Sequence, residues 1–356
     1  MADLVLKNAR VDGRITDITV DRERGVIVSL ERTEAAGRDL GGAEVVAGFV
    51  DIHAHGFLGH DVMDGDALSE MGRFLAANGT TSWCPTTTTN ALSELRRTVQ
   101  MPLPRDGAHT LGFHLEGPYI SHKYCGALNT DFARLPDLAD FADLADRVSL
   151  MTLAPELEGA LDFIKSAPFR ISLGHTAADY DTAKAAFLSG ADCITHTFNA
   201  MSPLHHRDPA VIGAAITEGA YAQVISDGIH LHPATVQLLY RAFGSDRMIL
   251  ISDAISATGL SDGDYMLGGK RVIVKDSVAR NEAGALSGST VTLRECVRRA
   301  ISFGIPRAEA LKMASATPAA YLGVRKGRVA VGYDADLLVV DEELNILETI
   351  LCDQLP

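Results

Sequence analysis

Between residues 45 and 252 the chain alternates short, continuously apolar runs with amphipathic stretches. Eight runs stand out, at 45–52, 81–87, 110–115, 148–153, 170–173, 193–196, 222–226 and 248–252, and segments such as 67–78, 180–188 and 234–243 have helical spacing between them. A strand that is apolar at every position is covered on both faces, which is the condition of a parallel sheet flanked by helices. Eight such units in about 210 residues predict a closed (β/α)8 TIM-like barrel. An open doubly wound sheet is the alternative, but no Gly-x-Gly-x-x-Gly follows an early run to favour its dinucleotide-binding form.

The two ends read differently. Leu4-Val5-Leu6, Ile18-Thr19-Val20 and Val26-Ile27-Val28 are short β-like runs, punctuated by Asp12-Gly13 and Arg24-Gly25. The run Asp336-Leu337-Leu338-Val339-Val340-Asp341 repeats that character near the other end. The expectation is one discontinuous β-sandwich domain from residues 1–47 and 325–356, enclosing a catalytic barrel at 48–324. Residues 268–288 break the alternation, and 271–274 with 278–280 predict a hairpin inserted after the eighth run.

Composition narrows the functions. A net charge of −14 leaves no basic surface to neutralise phosphates, so nucleic acid is not an expected partner. The five cysteines are scattered and never in a C-x-x-C pair, as befits reduced thiols in a cytoplasmic protein. Charges within the first dozen residues argue against a signal peptide, and no run approaches the length of a membrane span.

Chemistry collects where the runs end. They close on Asp51-Ile52-His53-Ala54-His55, His114-Leu115-Glu116, Gly174-His175, Thr195-His196, Asp227-Gly228-Ile229-His230 and Asp253. In a β/α barrel these strand ends converge on one mouth. His53 and His55 are two apart and share a strand face, where two imidazoles chelate a divalent ion; alone, such a pair is a weak signal. Glu116, His175 and His196 suit zinc or a similar ion with a position left for water. A buried Glu116 needs a positive neighbour, and no Arg lies close in sequence. Asp253 ends a purely apolar run; a helix cap is the ordinary reading, but opposite these ligands it becomes a general base and acid. His230 and Arg207 are candidates for an anionic group, although a loop arginine is more often only surface. His60, Asp61 and Asp64 read as loop structure, and Glu156 as a loop-orienting group without chemistry.

In combination and order, the segments GFVDIHAHG (48–56), GTTSWCPT (79–86), HLEGPYI (114–120), GHT (174–176), THTFNAM (195–201), SDGIHLHP (226–233), SDAISATG (252–259) and LSGS (286–289) resemble the N-acetylglucosamine-6-phosphate deacetylase family of the amidohydrolase superfamily. The resemblance runs from about Leu4 to Asp341. It implies a main metal on Glu116, His175 and His196, with zinc first and Fe, Co or Mn as alternatives, and Asp253 as base and acid. It implies a second ion, kept by only some members, on His53 and His55. Ala127, Asn199 and Ala200 would contact an amino-sugar phosphate, and His230 and Arg207 its phosphate. Arg207 would reach in from the neighbouring subunit of a homodimer, and Leu286, Ser287 and Gly288 would close around the acetyl group.

Three positions depart from the family pattern. Ala47 stands where Pro is usual, Ala210 follows Pro209 where Gly is common, and Leu128 stands where many members carry a His that touches the sugar. Leucine forms no hydrogen bond, so the exact sugar is the open point. The expected reaction is hydrolysis of an N-acetyl group by metal-activated water. The rivals are another amidohydrolase, such as a galactosamine-phosphate deacetylase, a D-aminoacylase or a cyclic-amide hydrolase, and a catalytically dead barrel used for binding.

Overall fold

Eight parallel strands form the middle of the chain in a computed structural model of the protein, which describes residues 3–65 and 67–355. They are β1 (Phe49–Ala54), β2 (Thr80–Thr87), β3 (Phe113–Glu116), β4 (Val148–Leu153), β5 (Arg170–Leu173), β6 (Cys193–Ile194), β7 (Tyr221–Val224) and β8 (Met248–Leu250). Each pairs in parallel with the next. The ring is nearly closed just beyond β8, where the Asp253 amide donates to the His53 carbonyl at 2.9 Å and the His55 amide to the Ala254 carbonyl at 2.7 Å. Cys84, Leu150, Cys193 and Ile249, from alternate strands β2, β4, β6 and β8, belong to one buried cluster. Side chains from non-adjacent strands meet only inside the barrel, in the four-fold layer such barrels use.

Outside the ring, α-helices follow seven of the eight strands, among them Leu68–Ala77, Tyr180–Ser189 and Pro233–Phe243. Local sequence starts them: the Asp179 carboxylate accepts from the Thr182 amide at 2.8 Å, and Pro233 opens its helix with a φ already suited to the first turn. Among the described residues, β3 is followed instead by three short 3-10 turns, Thr130–Phe132, Leu138–Asp140 and Ala142–Arg147.

The two ends of the chain build a separate, mainly antiparallel seven-stranded sheet, in the order Ile346–Ile350, Leu337–Val340, Glu44–Ala47, Leu4–Val11, Arg14–Asp21, Val26–Ser29, with Arg38–Asp39 beside Leu4–Val11. Val26 bridges to Asp334, so the sheet folds back over its own core of Leu6, Ile18, Ile27, Leu337 and neighbours. The expected sandwich is thus one continuous sheet wrapped on itself. Asp12 and Gly13, both at positive φ, make the two-residue turn between its first two strands.

Several sequence boundaries move. The run at 45–52 is two strands: Glu44–Ala47 lies in the accessory sheet and Phe49–Ala54 in the barrel. Gly48 between them packs so close to Thr81 that any Cβ would strike its side chain. Likewise the run at 110–115 divides into His109–Thr110 and Phe113–Glu116, with Gly112 at positive φ in between. The insertion after β8 has three strands, Gly263–Leu267, Lys270–Lys275 and Val278–Asn281, because a third strand precedes the expected hairpin.

Candidate active site

His53 and His55 at the end of β1, Glu116 at the end of β3, and His175, His196 and Asp253 just beyond β5, β6 and β8 converge at one end of the barrel. All six are buried. Glu116 Oε1 lies 3.1 Å from His175 Nε2 and 3.0 Å from His196 Nε2. His55 Nε2 lies 3.3 Å from Asp253 Oδ1 and 3.4 Å from Glu116 Oε2. His53 Nε2 stands 3.2 Å from His55 Nε2 and 3.3 Å from Glu116 Oε1, so the trio His53, His55 and Asp253 adjoins the trio Glu116, His175 and His196.

The far side of three of the four rings decides what the near side offers; His196 Nδ1 is buried without a hydrogen-bond partner among the described residues. His53 Nδ1 is 2.9 Å from Gln223 Oε1, His55 Nδ1 is 3.2 Å from the Thr86 carbonyl, and His175 Nδ1 is 3.1 Å from the Tyr124 carbonyl. Each acceptor fixes the ring proton on Nδ1 and turns an Nε2 lone pair inward, the arrangement that orients metal-ligating histidines. Lone pairs and carboxylate oxygens facing one another at these distances require protons or a cation between them. Without a cation, burial alone would depress the His55 imidazolium, yet its bonds to Asp253 and Glu116 push its pKa up to about 10. Burial opposes charge on Glu116 too, but His53 and His175 hold its carboxyl well below the usual range. A divalent ion satisfies the same donors without imidazolium ions, so imidazole and carboxylate here fit a borderline metal.

Backbone shape supports this placement. His175, His196 and Asp253 sit at φ values of 48°, 28° and 48°, and Phe198 and Ala200 follow at 76° and 48°. Left-handed backbone at non-glycine residues is uncommon and clusters at functional sites.

A cavity of ≈ 260 Å³ opens over five of the six, His55, Glu116, His175, His196 and Asp253, with His53 beneath. Ala127, Asn199, Ala200, His230, Leu286 and Gly288, which the family resemblance puts forward for the substrate, line it together with Leu128. Ser287 is fully buried and bonds backward to the Ala285 carbonyl. Arg207 is exposed, donates from Nη1 to His206 Nε2 at 2.7 Å, and lines a different cleft beside Tyr180, so it does not reach its own chain's cavity. His230 is held by Asp227: the ring Nδ1 is 2.7 Å from Asp227 Oδ2, and Asp227 Oδ1 accepts the Ile229 and His230 amides at 2.8 Å. Burial works against the His230 imidazolium, but Asp227 raises its pKa above the ordinary value. Glu156 accepts from Thr176 Oγ1 at 2.6 Å, orienting the loop after β5.

Sequence reasoning missed Gln223, Asp227's clamp, Leu267 and Ala285. A lone polar Gln223 in the otherwise apolar β7 was a readable signal, whereas Leu267 and Ala285 reach the cavity from the insertion and carry none.

Comparison with known proteins agrees with this geometry. The Amidohydrolase family matches residues 45–353. N-acetylglucosamine-6-phosphate deacetylase of Vibrio furnissii is 38% identical over 93% of this chain and 88% of its own length. N-acetylgalactosamine-6-phosphate deacetylase of Escherichia coli O157:H7 is 34% identical over 97% and 96%. A structure of a mutant Mycobacterium smegmatis N-acetyl-D-glucosamine-6-phosphate deacetylase in complex with N-acetyl-D-glucosamine-6-phosphate superimposes with a TM-score of 0.89 at 31% identity, covering 99% of both chains. With six ligand-type residues at one barrel mouth and a family match spanning both the barrel and the strands that return to the accessory sheet, the chain belongs to the amidohydrolase family.

Proposed function

We propose that the chain hydrolyses the N-acetyl group of N-acetylglucosamine 6-phosphate to glucosamine 6-phosphate and acetate. The observation that carries this reading is the buried cluster of His53, His55, Glu116, His175, His196 and Asp253 in a chain whose near-full-length relatives bear that activity's name. Glu116, His175 and His196 would hold the main ion, zinc being the first choice and Fe, Co or Mn the alternatives. His53 and His55 would hold a second where one is present. When bound, such an ion acidifies water toward neutral pH and steadies negative charge on an oxygen.

The remaining steps belong to the protein. Asp253 takes the proton of the attacking water and returns it to the amide nitrogen, which does not leave as an anion. Asn199, Ala200 and Ala127 position the sugar, and Leu286, Ser287 and Gly288 close around the acetyl group. His230, oriented by Asp227 and biased toward its cationic form, faces the phosphate. Arg207 joins it from the partner subunit of a homodimer; its exposure and its exclusion from its own cavity support that role. The division into a 1–47 with 325–356 domain and a 48–324 catalytic domain is part of the proposal, as is a cytoplasmic setting. The free cysteines and the lack of any helix, among the described residues, long and apolar enough to cross a membrane accord with the latter.

A second substrate, N-acetylgalactosamine 6-phosphate, rests on one observation. Ala127, Leu128, Leu267, Ala285 and Leu286 line the cavity with apolar side chains, which discriminate hydroxyl epimers weakly. The test is acetate release from both phosphorylated hexosamines and from N-acetylglucosamine, with zinc, cobalt or manganese added. The phosphorylated sugars should be turned over at least about 100-fold more efficiently. Equal turnover without the phosphate would sink the assignment.

A further inference from the structure

At the opposite, N-terminal end of the barrel a second group of ligand-type side chains meets the accessory sheet. His109 leaves the short strand that pairs with Ser82 and Trp83 at the start of β2. Asp336 immediately precedes the strand Leu337–Val340, and Cys352 follows Ile346–Ile350. Asp336 is 1% exposed on its side chain and His109 17%. The three ligand atoms all lie within 4.8 Å of one another.

Their spacing is informative. His109 Nε2 is 3.3 Å from Asp336 Oδ1 and 3.6 Å from Cys352 Sγ. Around a tetrahedral zinc-type ion with ordinary bond lengths, the nitrogen-to-oxygen and nitrogen-to-sulfur edges are about 3.4 Å and about 3.5 Å. The surroundings match as well. His109 Nδ1 points at Asp353 Oδ2, 3.5 Å away, so the ring stands between two carboxylates. A neutral imidazole can donate to only one of them. If Nδ1 carries the proton toward Asp353, the Nε2 lone pair faces Asp336 and Cys352, which is how a carboxylate orients a ligating histidine. Asp336 uses its other oxygen, Oδ2, to accept from Lys326 Nζ at 2.5 Å, and Lys326 Nζ stands 3.9 Å from Cys352 Sγ and 3.2 Å from Asp334 Oδ2. Lysine therefore supports the outer edge of the carboxylate and the sulfur, while Oδ1 and Sγ still face the imidazole; Oδ1 also accepts the Cys352 amide at 2.9 Å. Lys326 faces Asp334 and Asp336, and Arg325 stands 3.7 Å from Asp334, while Asp353 faces only the His109 ring; against these three carboxylates and two cations, a divalent ion offsets the remaining negative charge and that of a Cys352 thiolate.

We infer that His109, Asp336 and Cys352 form a zinc-type metal site, distinct from the catalytic centre, that clips the barrel to the two C-terminal segments of the accessory sheet. The fourth position is open to water, because His109 and Cys352 are only partly covered. Binding at Cys352 releases the thiol proton to solvent and leaves the thiolate on the metal. The competing account is an ion-paired cluster in which a cationic His109 donates to both Asp336 and Asp353, with no metal.

Cobalt separates the two. The donors of the catalytic centre are nitrogen and oxygen only, so a near-ultraviolet thiolate-to-cobalt charge-transfer band reports this site alone once the partly covered Cys125 is replaced. In a Cys125→Ser background, the cobalt-loaded protein should show the band at one equivalent per chain. Cys352→Ser should abolish it, remove one bound metal per chain and leave kcat within about two-fold, whereas Asp253→Asn should keep the band. If Cys352→Ser does not fold, Cys352 in the same background serves instead: with zinc in excess of the catalytic centre's capacity, its reaction with a disulfide reagent should slow at least tenfold, reversed by a chelator. A cobalt-loaded protein without the band, a band that survives Cys352→Ser, or a thiol indifferent to zinc would overturn the site in favour of the ion-paired cluster.

Discussion

The barrel mouth and the accessory sheet both place non-glycine residues in the left-handed region, for opposite reasons. In the sheet they include Asn8 at φ 54° and Asp12 at 47°, types whose short polar side chains tolerate it, with Gly13 completing the turn; Leu344 at 61°, in the turn between the last two strands, is the exception. At the mouth the set includes Phe198 at 76° and Ala200 at 48°, which have no such local compensation. There the conformation is imposed from outside, at a cost on the order of 1–3 kcal/mol per residue, by the strands and bonds that aim His175, His196 and Asp253. Apart from Leu344, the sheet's left-handed residues follow its local sequence, and the mouth's geometry follows its task.

The largest expected effect comes from chemistry at the mouth. Asp253→Asn should retain metal and lower kcat by about 10³-fold or more, as loss of a positioned acid-base group does; near-normal turnover would remove Asp253 from the mechanism. Next is the outer support of the ligands. Gln223→Leu deprives His53 Nδ1 of its acceptor and should weaken the more loosely held ion roughly 10–100-fold in chelator competition. Unchanged affinity would mean that the strand alone orients His53.

A smaller effect is tied to pH. The His230 pKa is raised, so its cationic form is fully present below the usual value near 6.5 and is lost only as pH rises through the higher one. KM for the phosphorylated substrate should climb about tenfold per unit above that point and stay flat for an unphosphorylated analogue. Asp227→Asn should bring the rise to lower pH, and a KM independent of pH in both proteins would count against His230 as the phosphate contact. The smallest effect belongs to the sheet. Gly13→Ala meets no atom within 4 Å, so only backbone strain opposes it. A loss of about 1 kcal/mol in stability with unchanged kcat is expected; a drop in activity would show that sheet and mouth are coupled.

Much of this was legible in the sequence. Strand-end residues His53, His55, Glu116, His175, His196 and Asp253 were readable because a parallel strand is apolar until its last residue, and any polar group there stands out. Gly48 was harder. The apolar run across it is continuous, and only the close approach to Thr81 reveals that one run serves two sheets. Leu267 and Ala285 were invisible because an apolar residue on an inserted strand looks like any core residue. Arg207 could be named but not positioned, since the cavity it was expected to serve is not the one beside it.

One pairing in the accessory sheet bears on how the chain is made. Val45 and Val46 lie opposite Val339 and Leu338. The first partner leaves the ribosome with nearly the whole barrel still to be translated, and closing so long a loop without intermediate structure is unfavourable and slow. The barrel strands, each paired with its sequence neighbour, can assemble meanwhile. During synthesis the N-terminal strands would therefore wait with an exposed edge, and the nascent chain should be most prone to chaperone capture or aggregation in the interval before Leu337–Val340 emerges.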